Sequence, residues 1–251
     1  MISRRARVLT RLLAVLALGA GTAGAAQRPV VVELFTSLAC SDCPPADALL
    51  ARISGADRDV LALDLHVTYW NDASWSDPYA LQSADALQSA YAALRGDAEV
   101  YTPEAVVDGG RPFVGSDAGE MASAIAQAKA RIAAGAVIPA SIGGGATDLT
   151  VTIGSGRGAG TVWLFGFSPV RRTSVPAGEN AGATVREVNV VRSIARLGEW
   201  RGRALQVRVH PPAAARFAVI LQESSGAVLA AASMSAAVSG ARERRARAEV
   251  R

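Results

Sequence analysis

The two cysteines of this 251-residue chain, Cys40 and Cys43, stand three residues apart directly after a strongly apolar run. That run, residues 30–35 (VVVELF), reads as a buried strand. The segment that follows, residues 44–53, is compatible with a helix. A C-x-x-C pair at a strand-to-helix junction constrains the fold, because it places the first cysteine at the junction and the second one turn inside. Pro44 and Pro45 fit this layout, since a first-turn proline lacks only an N–H that has no helical partner.

The chemistry of such a pair follows from the helix end. A helix N-terminus carries roughly half a positive charge together with free N–H donors. A thiolate there is stabilised, and its pKa falls from about 8.5 into a range of about 3.5–7.5. Cys40 is therefore expected to be exposed and activated. Cys43 is then placed to attack a mixed disulfide at Cys40 and release the partner. Asp42 opposes the thiolate if its side chain points toward Cys40. Two other readings stay open: a static disulfide and metal binding. A static disulfide would close a ring of only four residues, for which loop entropy gives about 2 kcal/mol.

Strand-like and helix-like segments alternate over residues 30–135. Residues 60–67 (VLALDLHV) read as a second apolar strand, and residues 69–79 as an aromatic, polar loop. Residues 80–94 carry Leu81, Ala84, Leu87, Ala90, Tyr91 and Leu94 at helical spacing. Residues 100–107 read as a strand broken at Thr102-Pro103, followed by an Asp108-Gly109-Gly110 turn and a returning strand over 111–115. Residues 117–134 read as a helix with Ser116 or Asp117 as its N-cap. Strands alternating with helices imply parallel pairing through right-handed crossovers, with the last hairpin adding antiparallel strands. That order is the minimal thioredoxin-like core. In such folds a cis-proline faces the C-x-x-C, and the residue before it offers backbone hydrogen bonds to an extended substrate. Thr102-Pro103 stands at that place.

The character changes near Pro139. Residues 142–160 are glycine-rich and read as a flexible stretch with one short strand over 149–153. Strands without a long helix are expected over 161–170, 184–197, 204–209, 216–222 and 228–232. The fold class expected is α/β, with a thioredoxin-like domain over 28–136 followed by a small antiparallel β domain over 137–236.

Residues 1–25 read as a signal peptide, with Arg4, Arg5, Arg7 and Arg11, the apolar run 12–18 and Ala23-Gly24-Ala25 as cleavage site. The location expected is periplasmic or secreted, with no transmembrane helix after cleavage. Cleavage would leave 22 basic and 22 acidic side chains, so net charge gives nucleic-acid binding no support. A basic tail over 237–251, with five arginines from Arg242 onward, is expected to be disordered.

His66 ends the second strand at the sheet edge to which the first strand delivers Cys40. It is a candidate proton donor or acceptor, or a copper ligand together with the sulfurs. Trp70, Asp72 and Trp75 are candidates for the rim of a substrate cleft, or for simple packing. His210 has no local partner, and no G-x-S-x-G, P-loop or H-E-x-x-H motif is present.

Several of these segments together carry a resemblance. Val32-Glu33-Leu34-Phe35-Thr36-Ser37 and Cys40-Ser41-Asp42-Cys43-Pro44-Pro45-Ala46-Asp47 resemble the motifs of a bacterial family of secreted, thioredoxin-like proteins of unknown function. So do His66-Val67-Thr68-Tyr69-Trp70-Asn71, Trp75-Ser76-Asp77-Pro78, Tyr101-Thr102-Pro103 and Val106-Val107-Asp108-Gly109. In the second half the similar segments are Gly178-Glu179-Asn180-Ala181-Gly182 and Asn189-Val190-Val191-Arg192. One departure is Thr68-Tyr69-Trp70-Asn71, where the family pattern has acids at both ends. The resemblance implies a fold more firmly than an activity. It also implies Cys40 and Cys43 as the redox pair and Pro103 as the cis-proline.

The function expected is thiol–disulfide exchange on protein or small-molecule thiols and disulfides, without cofactor or resident metal. Cys40 and Cys43 would do the chemistry, and Thr102, Pro103 and Trp70 would bind substrate. A copper-handling protein and a non-catalytic binding module with an inert disulfide are the rival readings.

Overall fold

The computed structural model describes residues 27–96, 99–145 and 147–235. The expected signal peptide and basic tail lie outside the described residues. The elements run β1 (Val30–Thr36), α1 (Pro44–Ala56), β2 (Val60–His66), α2 (Gln82–Arg95), β3 (Glu104–Val107), β4 (Phe113–Val114) and α3 (Ala118–Ala134). The second half runs β5 (Ala140–Gly144), β6 (Leu149–Ile153), β7 (Gly160–Ser174), β8 (Thr184–Trp200), β9 (Leu205–Val209), β10 (Arg216–Gln222) and β11 (Val228–Ser235).

The first half follows the alternation in the sequence. β1 and β2 pair in parallel over their full length, and β3 returns antiparallel to β1. α1 begins with prolines in its first turn. α3 is capped by Asp117, whose carboxylate accepts from the N–H groups of Gly119 and Glu120, each at 2.9 Å. Asp117→Ala should therefore cost about 1 kcal/mol of stability, read as a lowered denaturant midpoint. The Asp108-Gly109 turn is tight: Asp108 has φ 56° and Gly109 φ 70°. A Cβ on Gly109 would lie 1.8 Å from the Gly226 carbonyl oxygen, so only glycine fits there.

The second half differs from the expected separate β domain in how its strands pair. β7, β8, β10 and β11 extend the first sheet, giving eight strands in the order β11-β10-β7-β8-β2-β1-β3-β4. β5, β6 and β9 form a separate three-stranded antiparallel sheet. β5 runs into the glycine-rich stretch expected to be flexible, and pairing with β6 makes it a strand.

The seam between the halves is β2–β8, a parallel pairing through Asp64 and Val190. Side chains reinforce it. Asn189, at φ 52°, donates from Nδ2 to Ser54 Oγ at 3.1 Å and to the Ala62 carbonyl at 3.0 Å. A single mixed α/β sheet therefore runs through the chain.

Alternation along the strands sorts the core. Val30, Val32 and Leu34 of β1, with Val60 and Ala62 of β2, pack under Leu49, Leu50 and Ala46 of α1 and Met121 and Ile125 of α3. Val31, Phe35, Leu61, Leu63 and Leu65 point to the other face, against Ala84 and Tyr91 of α2 and Phe165 and Phe167 of β7. The three-stranded sheet packs Leu149, Val151 and Ile153 on Val162, Phe217 and Val219. Among the described residues no helix is long and apolar enough to cross a membrane.

Candidate functional site

β1 ends at Thr36, and the chain turns through residues 37–42 to enter α1 at Cys43, the N-cap. Two turn hydrogen bonds shape this entry, Cys40 N–H to Ser37 O at 3.2 Å and Cys43 N–H to Cys40 O at 3.3 Å. Cys40 and Cys43 are joined in a disulfide with a Cα–Cα distance of 5.5 Å. Opposite stands the Thr102-Pro103 peptide bond, which is cis. The Thr102 carbonyl oxygen lies 3.9 Å from Cys40 Sγ. Trp70 donates from Nε1 to Thr102 Oγ1 at 2.7 Å. The fold thus brings Cys40, Cys43, Thr102, Pro103 and Trp70 together. Asp72 and Trp75 form their own loop turn instead, in which Asp72 Oδ1 accepts from the N–H groups of Ser74 and Trp75.

The expected exposure of Cys40 is corrected: it is 1% exposed, and Cys43 is 0% exposed. A loop of the second half accounts for the cover over this turn. Between β7 and β8 the chain lies across residues 38–41. Asn180 donates from Nδ2 to the carbonyls of Leu38 at 3.0 Å and Cys40 at 2.8 Å. Glu179 accepts from the Ser41 N–H at 2.9 Å, which holds its carboxyl below the usual range. Gly178 lies against Ala39, where a Cβ would come within 3.3 Å. The Gly178–Gly182 segment, noted in the sequence only for its resemblance, is this cover.

His66 does not meet the sulfurs through either ring nitrogen. Its Nδ1 lies 2.7 Å from Asp77 Oδ2. Its Nε2 lies 3.1 Å from Glu187 Oε1 and 3.8 Å from Asp64 Oδ2. Tyr79 packs edge-on against the ring at 5.4 Å. β2 alternation places Asp64 and His66 on the α1 side of the sheet, and β8 delivers Glu187 to the same point. Asp47 of α1, buried there as well, accepts from Thr36 Oγ1 at 2.9 Å. Asp77 further accepts from the N–H groups of Leu38 and Tyr79.

The electrostatics follow from burial. Loss of water raises Asp64 and Glu187 above the usual carboxylate range, against the lowering pull of His66. Burial likewise raises Asp47 well above that range, with Asp64 adding to the effect. At Asp77 burial is outweighed by His66 and the two backbone donors, and its carboxyl is lowered. Burial disfavours charge on His66, but Asp64, Asp77 and Glu187 outweigh it and raise the ring well above its usual value.

Sequence reasoning named His66 and missed Asp64, Glu187, Asp47 and Asp77 as its partners. A signal was present: Asp64 is an acid inside an otherwise apolar strand, and such a charge needs a partner. That the partner for this edge comes from residue 187 is a matter of tertiary structure.

The model of a family described as protein of unknown function, DUF1223, matches residues 31–230. The structure of protein AGR_C_4864 from Agrobacterium tumefaciens is similar, with a TM-score of 0.72 and 27% identity, covering 86% of this chain and 98% of that one. HBP35 of Porphyromonas gingivalis is similar in fold, with a TM-score of 0.56 and 14% identity over 85% of this chain and 76% of that one. No curated protein matches the chain.

Proposed function

The chain belongs to the DUF1223 family of proteins of unknown function, and from that premise we propose that it is an exported thiol–disulfide exchange protein with a thioredoxin-like unit at its N-terminal half. The observation that carries this reading is the Cys40–Cys43 disulfide at the start of α1, faced by the cis Thr102-Pro103 bond. The element order β1-α1-β2-α2-β3-β4-α3 supports it.

In the reducing direction, the Cys40 thiolate attacks one sulfur of a partner disulfide. A Cys40–partner disulfide forms and one partner thiolate leaves. The Cys43 thiolate then attacks Cys40 Sγ, the mixed disulfide breaks, and the second partner thiolate leaves. Two electrons pass to the partner, and the Cys40–Cys43 disulfide remains. The oxidising direction is the reverse. The Thr102 carbonyl lies against Cys40 Sγ and Trp70 holds the Thr102 side chain, and together they would hold an extended partner segment.

Cys43→Ser should trap mixed disulfides through Cys40, seen as thiol-sensitive adducts on non-reducing gels and absent from the Cys40→Ser, Cys43→Ser form. Failure to trap any protein or small thiol would remove Cys43 from the resolving role. The burial of both sulfurs favours a second reading, a structural disulfide. The reduction potential separates the two. Working exchange proteins lie between about −120 and −270 mV, and structural disulfides below about −300 mV.

A further inference from the structure

The cluster around His66 holds more unpartnered polar atoms than a protein core tolerates without reason. Asp64 Oδ1 and Oδ2, His66 Nε2, and Glu187 Oε1 and Oε2 are all buried without a hydrogen-bond partner. Asp64, His66 and Glu187 are each 0% exposed. His66 Nε2 is near Glu187 and Asp64 but lacks hydrogen-bond geometry to either. One oxygen of Asp64, one of Glu187 and a nitrogen of His66 all lie within 4.8 Å of one another.

We propose that Asp64, His66 and Glu187 bind a divalent transition-metal cation of the zinc class. This does not rest on the exchange chemistry proposed above. The donors are imidazole and carboxylate, a set that suits zinc. The imidazole-to-carboxylate spacing suits it, and the two carboxylate oxygens, within 4.8 Å of each other, would close to about 4.2 Å or less on sharing one ion. With metal–ligand bonds of about 2.1 Å, separations of 3.1 and 3.8 Å correspond to ligand–metal–ligand angles of about 95° and about 130°. Full burial leaves little space for the several waters that magnesium retains, and the low coordination number of zinc is met by three side chains, one of them using both oxygens.

The surroundings are those of a metal ligand. A metal-bound imidazole commonly gives its other ring N–H to a carboxylate, which fixes the tautomer. His66 Nδ1 lies 2.7 Å from Asp77 Oδ2, and Asp77 is itself held by the Leu38 and Tyr79 N–H groups. With Nδ1–H given to Asp77, a neutral His66 ring would turn its Nε2 lone pair toward Asp64 and Glu187. The site joins β2 to β8 where their pairing is Asp64 with Val190, so a cation there would tie the two halves of the sheet.

Because the three side chains are fully buried, the ion would enter as the chain folds. The full chain is therefore refolded from guanidinium with zinc or with a chelator, desalted, and its metal content measured by mass spectrometry. The result expected is about one zinc per chain after refolding with zinc, and a higher melting temperature than the chelator-refolded form. Glu187→Gln should lower zinc affinity at least tenfold. Should that variant not fold, Asp77→Asn serves, with an expected loss of about 10–100-fold as a supporting carboxylate is removed. The Cys40→Ser, Cys43→Ser form should keep its zinc. Folded wild-type chain that holds less than about a tenth of an equivalent overturns the proposal and leaves a proton-sharing cluster. Zinc lost from the cysteine variant but kept by Glu187→Gln overturns it in favour of sulfur ligation.

Discussion

Reduction of the Cys40–Cys43 disulfide by dithiothreitol is expected to run about 30-fold faster in Asn180→Ala than in the unaltered chain. Both sulfurs are buried, so a reductant meets them only when the cover moves. The cover over the cysteine turn is the β7–β8 loop, and Asn180 is its clasp. One amide group holds two carbonyls, those of Leu38 and Cys40. A neutral hydrogen bond contributes about 1 kcal/mol net, so losing both eases opening by about 2 kcal/mol, which is roughly 30-fold. The rate is read by quenching aliquots with an alkylating agent and counting modified cysteines. Glu179→Gln should change the rate less, since Glu179 is in solvent and a glutamine oxygen still accepts from the Ser41 N–H. Equal rates in Asn180→Ala and the unaltered chain would mean that access does not run through this loop. An exchange protein with such a cover would act on partners able to displace it.

Glu33→Gln is expected to stabilise the protein at pH 8 by up to about 3 kcal/mol, and to change stability little at pH 4. Glu33 sits in β1 on the α2 face, where the Tyr91 hydroxyl donates to its carboxylate at 2.5 Å. Burial, opposed by Tyr91 and aided by Asp108, raises its pKa from 4.5 to about 7. The sign follows from proton counting. Below pH 4.5 the side chain is protonated in both states and contributes no pH dependence. Between pH 4.5 and about 7 the unfolded chain releases its proton first, so stability falls as pH rises. Above about 7 both states are ionised and the loss stays constant. The rise from 4.5 to about 7 corresponds to about 3 kcal/mol. Glutamine keeps an oxygen for Tyr91 and carries no ionisation, so its urea midpoint should lack this fall. A difference between the two proteins that stays constant from pH 4 to 8 would refute a buried, titrating Glu33.

Local signals in the sequence located most elements. Asp117 caps α3 because a side-chain acceptor three residues ahead of Glu120 is visible within one turn of chain. β10 spans Arg216–Gln222, the range expected around its apolar run FAVIL. The meeting of Cys40, Cys43 and Pro103 was legible because a short element order places them at one sheet edge. α1 continues three residues beyond its expected end, through Gly55, which the helix tolerates where packing supports it. β5 was hidden because glycine has no pattern until a partner strand pairs with it.

The positions of β1, α1 and the Cys40–Cys43 pair are written locally in the chain, since periodicity, caps and turns act over a few residues. Long-range packing set the joining of β8 to β2, the cover of Glu179 and Asn180 over the cysteine turn, and the approach of Glu187 to Asp64 and His66. Each of these brings together residues more than a hundred positions apart. No local preference records such an encounter, because it is fixed by which apolar faces bury one another and by which buried charges must then find company.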